Sequence, residues 1–380
     1  MKLPKFIARL RRKPPTKEVK EFSLAKKLFS KLFSLHIVKV LFIILILILI
    51  SPFIIYFIYR PVVQEDVNYG VTFSKKYCDQ LQLNWKKVYL DILDDLKVQN
   101  VRLVAYWDDV EGVKDEYNFS DVLWQLEQAR LRDVNVIMTI GRKVPRYPEC
   151  FQPQWWLELE NDQLRNIEMM EYIKVAVETL KPYDNIKIWQ IENEPFFKFG
   201  ECNDPPLEKD TVLKEIEMVK TMDGRPVLVQ DSGEGGFWFP AYQAGDYLGI
   251  SMYRKVWYDF WRVFLGNFIY FKYPLAHWTY KIKADLTMVP YQNIIVTELQ
   301  AEPWGPAVNS QLSLKEKDKT MSRHQFIDTI TYAQKAGFRD YYFWGVEWWY
   351  WEKYVNNNPY FWDTAKAIFS RYPVSTTPTQ

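Results

Sequence analysis

The stretch IWQIENEPF (Ile188–Phe196) decides how the chain is read. An apolar run ends abruptly in Glu192, Asn193 and Glu194, and Pro195 then stops it. On either side of it lie seven more runs of the same kind: VNYGVTF, NVRLVAYW, VNVIMTIG, RPVLVQD, YLGISMY, NIIVTEL and DYYFWGV. Each spans roughly 6–8 mostly apolar residues, as strands covered on both faces do. Between most of them lie amphipathic stretches with a helical period, such as NWKKVYLDILDDLK, DVLWQLEQARLRD, IEMMEYIKVAVETL, KDTVLKEIEMVK and SRHQFIDTITYAQKAG. Eight strands alternating with helices predict an α/β fold, a (β/α)8 TIM barrel over residues 67–370.

Two gaps break the alternation. The one after RPVLVQD is short and rich in Gly and aromatics, with no full helix. The one after GISMY, Arg254 to Tyr280, is long and aromatic: RKVWYDFWRVFLGNFIYFKYPLAHWTY. It is too charged to span a membrane. Its readings are a lid over a cleft, a surface leaning on a bilayer, or an ordinary excursion packed on the barrel. The tail 371–380, ending in VSTTPTQ, reads as disordered.

The chain carries a net charge of +2, but the charges are segregated. Residues 1–60 hold 13 Lys and Arg against 2 Glu, a net +11, which leaves −9 for the rest. An acidic main domain argues against nucleic acid as its ligand. The basic head is followed by VLFIILILILISPFIIYFIY (residues 40–59), twenty residues without a charge, enough to cross a bilayer. The long basic leader and the lack of a small-x-small cleavage pattern favour a signal-anchor over a cleaved signal. The positive-inside rule then puts residues 1–39 in the cytoplasm, and everything after a short linker (60–66) outside the cell membrane. EFSLAKKLFSKLFSLH, just before the span, reads either as an interfacial helix on anionic lipid or as a plain basic flank. Outside the cell a disulfide is permitted, and Cys150 and Cys202 follow runs that neighbour each other in a barrel. They are the expected pair, with Cys78 free.

In a (β/α)8 barrel the chemistry sits at the C-terminal ends of the strands. Those ends offer Glu192, Asn193 and Glu194 on the fourth run and Glu298 and Gln300 on the seventh. The others offer Arg102, Trp107, Arg142, Tyr253, Trp344, Glu347 and Trp348. The three histidines, His36, His277 and His324, all lie away from strand ends, which disfavours Ser-His and His-rich metal chemistry. Neither a phosphate-binding Walker loop nor a GxGxxG turn is present. Paired carboxylates are what glycoside hydrolysis requires, one to protonate the leaving oxygen and one to attack or to activate water. Such a reaction needs no metal or organic cofactor. Trp107, Trp348, Trp349 and Trp351 are candidates to stack on sugar rings, with core packing as the alternative. Glu302 and Glu347 either bind a sugar hydroxyl or are rim charges.

IENEP ending the fourth run and VTELQ ending the seventh resemble the paired signature of retaining glycoside hydrolases of clan A, the cellulase-like and β-galactosidase-like barrels. VRLVAYWDDVE and YNFSDVLWQLEQARLRDVNVIMTIG resemble their second and third strands, and the likeness covers most of residues 67–365. By that resemblance Glu194 is the acid/base and Glu298 the nucleophile. Asn193 holds the sugar's 2-hydroxyl, Arg102 and Tyr253 donate hydrogen bonds to Glu298, and Trp344 is the floor under the sugar. Strand alternation puts Glu192 on the same side as Glu194 but one layer deeper, as a structural partner held by an inward Arg. The resemblance implies hydrolysis of β-glycosidic bonds in an oligo- or polysaccharide. A transglycosylase using the same residues, and a glycan-binding scaffold without turnover, are the alternatives. Nothing in the sequence specifies an oligomeric state.

Overall fold

The computed structural model describes residues 33–51, 54, 66–198, 207–258 and 269–371. The chain divides into two compact units, Met1–Arg60 and Pro61–Gln380. In the first, the helix Phe33–Ser51 has 19 residues and a mean hydropathy of 2.9, with none of it buried. At ~1.5 Å per residue it reaches about the thickness of a bilayer's hydrocarbon core. Among the described residues it is the one helix long and apolar enough to cross a membrane, a property it shares with signal sequences. It begins ahead of the expected Val40. Of the expected span beyond Ser51 only Ile54 is described, and the start of the expected interfacial helix lies outside the described residues.

The second unit is a closed barrel of eight parallel strands. They are β1 (Asn68–Thr72), β2 (Asn100–Val104), β3 (Asn135–Ile140), β4 (Ile186–Ile191), β5 (Val227–Asp231), β6 (Tyr247–Met252), β9 (Ile294–Gln300) and β10 (Asp340–Trp344). Each pairs with its neighbour in chain order, and β10 closes on β1 with Asn68 opposite Asp340. All eight expected runs form these strands. The remaining two strands, β7 (Lys255–Tyr258) and β8 (Ile269–Lys272), make an antiparallel hairpin inside the aromatic excursion after β6. Residues 259–268 between them lie outside the described set.

The helices form where the sequence supplies a cap and an apolar stripe. Asn84 accepts a hydrogen bond from the Lys87 amide and starts Trp85–Asp94, which buries Val88, Tyr89, Ile92 and Leu93. Ser322 caps Arg323–Ala336, and Gly337 ends it in the left-handed region at φ 75°. The Gly- and aromatic-rich gap after β5 carries only the six-residue helix Phe239–Ala244. One glycine lets β1 lie close to both of its neighbours. A Cβ on Gly70 would sit 2.7 Å from Tyr342 Cε1 and 2.8 Å from the Asn100 carbonyl, so β1 can approach both neighbours only without a side chain there.

Inside the barrel, Ile137, Leu228, Ile295 and Tyr342 pack as an apolar layer separate from the main core. Two residues further along three of these strands stand Thr139, Gln230 and Thr297, all fully buried and polar. Because side chains alternate along a strand, they form the next inward layer, toward the C-terminal end. The interior therefore turns from apolar to polar on the way to the strand ends.

Candidate active site

Glu298, on β9, is held by three donors. Its Oε1 accepts from Arg102 Nη1 (3.2 Å) and Gln230 Nε2 (2.8 Å), and its Oε2 from the Tyr253 hydroxyl (3.1 Å). Arg102, on β2, is completely buried and spends its guanidinium on this layer alone. Nε reaches Gln190 (2.8 Å), Nη2 reaches Asn193 Oδ1 (2.8 Å) and Gln230 (2.6 Å), and Nη1 also reaches the Thr297 carbonyl (3.3 Å). Burial draws its pKa down from the ordinary arginine value, and the neighbouring Glu298 charge opposes that.

At the end of β4 the backbone leaves the strand. Glu192 has φ 61° and Glu194 φ 46°, both in the left-handed region that non-glycine residues rarely enter. The turn overrides strand alternation, so Glu192 does not lie simply one layer below Glu194. It reaches sideways instead, accepting the backbone N–H groups of Arg142 (2.7 Å) and Lys143 (2.6 Å) from the loop after β3. Its partner is thus main chain rather than an inward Arg side chain. Burial pushes Glu192 up to about 7, against the pull of those amides. Left-handed residues at a strand end are costly and persist where surrounding contacts over-determine them.

Glu194 is buried, and its Oε1 accepts from the Ser251 hydroxyl on β6 (3.0 Å). Burial above all, then the charges of Glu149 and Glu298, hold its carboxyl well above the usual range, while Lys143 and Ser251 act the other way. Asn193, between the two glutamates, is also buried. Its Oδ1 accepts from Arg102, and its backbone N–H donates to the Lys143 carbonyl (2.6 Å).

Tyr253 and Trp344 belong to one small cluster with Val256, flanked by Tyr273 and Trp304. Arg146, from the loop after β3, lies over Trp344 (4.2 Å to the ring centre) and over Tyr77 (3.8 Å). Its guanidinium pairs with Glu302, and with Glu347 Oε2 at 3.0 Å. Glu347 also accepts the Ser74 amide, at 2.5 Å, and is completely buried. Both acids are therefore internal ion-pair partners rather than solvated rim charges.

The other aromatic candidates are not brought to the site. Trp107 is fully buried, stacked on Tyr172 at 5.0 Å with its indole N–H on Glu111 (2.7 Å). Trp348 packs against Phe361 at 4.4 Å in the main core. Neither presents a face to a ligand, because each fills space behind the strand ends. Cys78 is free and buried, and Cys150 is disulfide-bonded; its expected partner, Cys202, lies outside the described residues.

Sequence reasoning passed over Gln190, Gln230, Ser251 and Glu149. The two glutamines had a readable signal: each interrupts an apolar run on a strand, and a buried amide needs partners.

No family profile and no curated protein matches the chain. Solved structures do. A GH5_18 variant from Bifidobacterium longum subsp. longum, in complex with Manb1-4GlcNAc, superposes with a TM-score of 0.56 at 12% identity, over 83% of this chain and 80% of that one. The exo-beta-1,4-mannosidase Op5Man5 from Opitutaceae bacterium strain TAV5 gives 0.52 at 13% identity, over 84% and 63%. GH5_18 from Streptomyces cattleya, in complex with GlcNAc, gives 0.52 at 13%, over 74% and 71%. At these identities the likeness establishes the (β/α)8 fold.

Proposed function

We propose that the chain is a retaining glycoside hydrolase that cleaves a β-linked glycan by double displacement, with Glu298 as nucleophile and Glu194 as acid/base. The carrying observation is the contrast between the two carboxyls. Glu298 faces three hydrogen-bond donors, one of them the Arg102 guanidinium, which suits an attacking carboxylate. Glu194 has its pKa held high by burial and by neighbouring carboxylates, which suits a proton donor. In the first step Glu194 protonates the departing oxygen as Glu298 attacks the anomeric carbon. Esterification removes the Glu298 charge and with it one cause of the raised Glu194 pKa. Glu194 then takes a proton from water, which displaces the sugar from Glu298. Asn193 meets the 2-hydroxyl, and Trp344 stacks under the sugar.

The apolar helix Phe33–Ser51 follows a basic leader, which supports an anchor with the barrel on the extracytoplasmic side. The bonded state of Cys150 supports the same side. The names of the neighbouring structures make β-mannosides the first glycosides to try. The test is hydrolysis of a panel of aryl β-glycosides and β-linked oligosaccharides by the full chain in detergent, beside Glu298→Ala. Release of sugar by the parent and not by the variant supports the reading. Silence from both, with folding intact and glycan still bound, replaces it with a binding scaffold.

A further inference from the structure

The loop after β3 brings a third carboxylate, Glu149, to the two glutamates. Glu149 is buried, with φ 75°. It is pinned by its own main chain: its N–H donates to the Arg146 carbonyl (2.6 Å), and its carbonyl accepts from Val144 (2.8 Å). A bridge between Lys143 and Cys150 closes the loop beside it. So fixed, Glu149 Oε1 accepts from Asn193 Nδ2 (3.4 Å), and Oε2 pairs with Lys143 Nζ (3.2 Å). The same ammonium donates to the carbonyls of Glu194 (2.9 Å) and Phe197 (3.2 Å).

With Glu149 ionised, Asn193 thereby has a single workable orientation. Its Oδ1 takes the donors Arg102 Nη2 (2.8 Å) and Gln190 Nε2 (3.4 Å), and its Nδ2 faces a carboxylate. A flipped amide would set NH2 against the guanidinium and oxygen against Glu149, losing every one of these contacts. One Nδ2 hydrogen goes to Glu149, which leaves the other for a ligand. Lys143 meanwhile ties down the left-handed turn that carries Glu194.

We propose that Glu149 and Lys143 form a positioning pair, which fixes the Asn193 amide as a donor to the hydroxyl beside the reacting carbon and holds the Glu194 turn in place. This rests on the glycosidase reading for its catalytic consequence, though not for the contacts themselves. The groups facing Glu149 are the acids Glu194 and Glu298, the cations Lys143 and Arg102, and the neutral Asn193. Its charge adds to the field that favours a protonated Glu194.

Two variants of the full chain separate these effects. Glu149→Ala removes the acceptor, whereas Glu149→Gln keeps an acceptor oxygen and removes the charge. Each is assayed on an aryl β-glycoside and its 2-deoxy counterpart. The alanine variant is expected to lose kcat/KM by roughly ten- to hundred-fold on the hydroxylated substrate, and far less on the 2-deoxy one. The glutamine variant is expected to recover most of that loss at its optimum, with the basic limb of its pH profile moved to lower pH. Equal losses on both substrates, or a glutamine variant no better than alanine, would overturn the proposal. A second readout needs no turnover. The Asn193 side-chain amide signal in 15N NMR should shift in Glu149→Ala and return in Glu149→Gln. With 13C-labelled glutamate, the highest-titrating site carboxyl should move down in Glu149→Gln. If no glycoside is cleaved, the proposed function fails while these spectra still judge the pair. Spectra unmoved by either variant overturn it.

Discussion

Replacing Arg102 by Met keeps much of the length of the side chain and removes its charge and all its donors. Five acceptors lose a partner together: Gln190, Asn193, Gln230, the Thr297 carbonyl and Glu298. Because Arg102 and Glu298 are both buried, the change strips one side of an internal ion pair, which typically costs about 3–5 kcal/mol. Set against the ~5–15 kcal/mol of a typical domain, that is a large share of its stability. It corresponds to a fall in unfolding midpoint on the order of 10 °C at pH 8. At pH 5 the fall should be smaller, because an abandoned buried carboxyl escapes part of the penalty by taking a proton. Thermal scans of the chain and of Arg102→Met, followed by tryptophan fluorescence and near-UV circular dichroism, read both quantities. A second comparison isolates the pair: adding Glu298→Leu to Arg102→Met should recover part of the loss at pH 8 and little at pH 5. A midpoint within about 2 °C of the parent at both pH values would falsify the view that this polar layer is held together by its arginine.

The remaining predictions concern protons, closure and leaving groups. Glu149, Glu192 and Glu347 are each pushed up to about 7 by burial, whereas unfolded glutamate titrates near ~4.3. Between those values the folded chain keeps protons that the unfolded chain has shed, so the stability these groups contribute should be fully present only below about pH 4.3. It should then fall as the pH rises through 7, by up to ~1.4 kcal/mol per pH unit for each proton involved; urea midpoints from pH 5 to pH 8 check the sign, and a rise over that interval contradicts it. Gly70→Ala should cost roughly 1–3 kcal/mol, because the new Cβ meets Tyr342 and the Asn100 carbonyl at 2.7 and 2.8 Å; a denaturation midpoint equal to the parent's refutes it. Glu194→Ala should lose most of its kcat/KM on alkyl glycosides yet keep much of it on dinitrophenyl glycosides, whose leaving group needs no proton, even though the missing base for the second step lowers kcat on both. Equal losses of kcat/KM on both substrates in a steady-state assay argue against Glu194 as the acid.

What could be read from the chain follows from where the determining physics is local. Strands such as NIIVTEL announce themselves because a barrel strand is covered on both faces, and the buried Glu298 of TEL stands near the end of that run. Trp107 and Trp348 were ambiguous for the same reason in reverse: aromatic residues beside a strand end serve a core as well as a ligand. Glu149 gave no signal, since its position depends on a loop folded back through the Lys143–Cys150 bridge and on left-handed backbone at three acidic residues. The sideways reach of Glu192 was hidden too, because alternation holds only while φ stays extended.

The hairpin after β6 is bolted to β9 at its base. Gln300, two residues beyond Glu298, accepts the backbone N–H groups of Arg254 (2.8 Å) and Lys255 (3.0 Å) and donates to the Lys255 carbonyl (2.6 Å). Tyr253, which steadies Glu298, immediately precedes this joint. For anyone recombining such barrels, the joint marks a splice boundary. Lys272 pairs with Lys255, and the Tyr273 N–H donates to the Arg254 carbonyl (3.1 Å), so β8 helps to hold the Gln300 clasp in register, and one residue inserted between Met252 and Lys255 should pull the tyrosine off its carboxylate. The root of the excursion is thus coupled to the placement of Tyr253 beside Glu298.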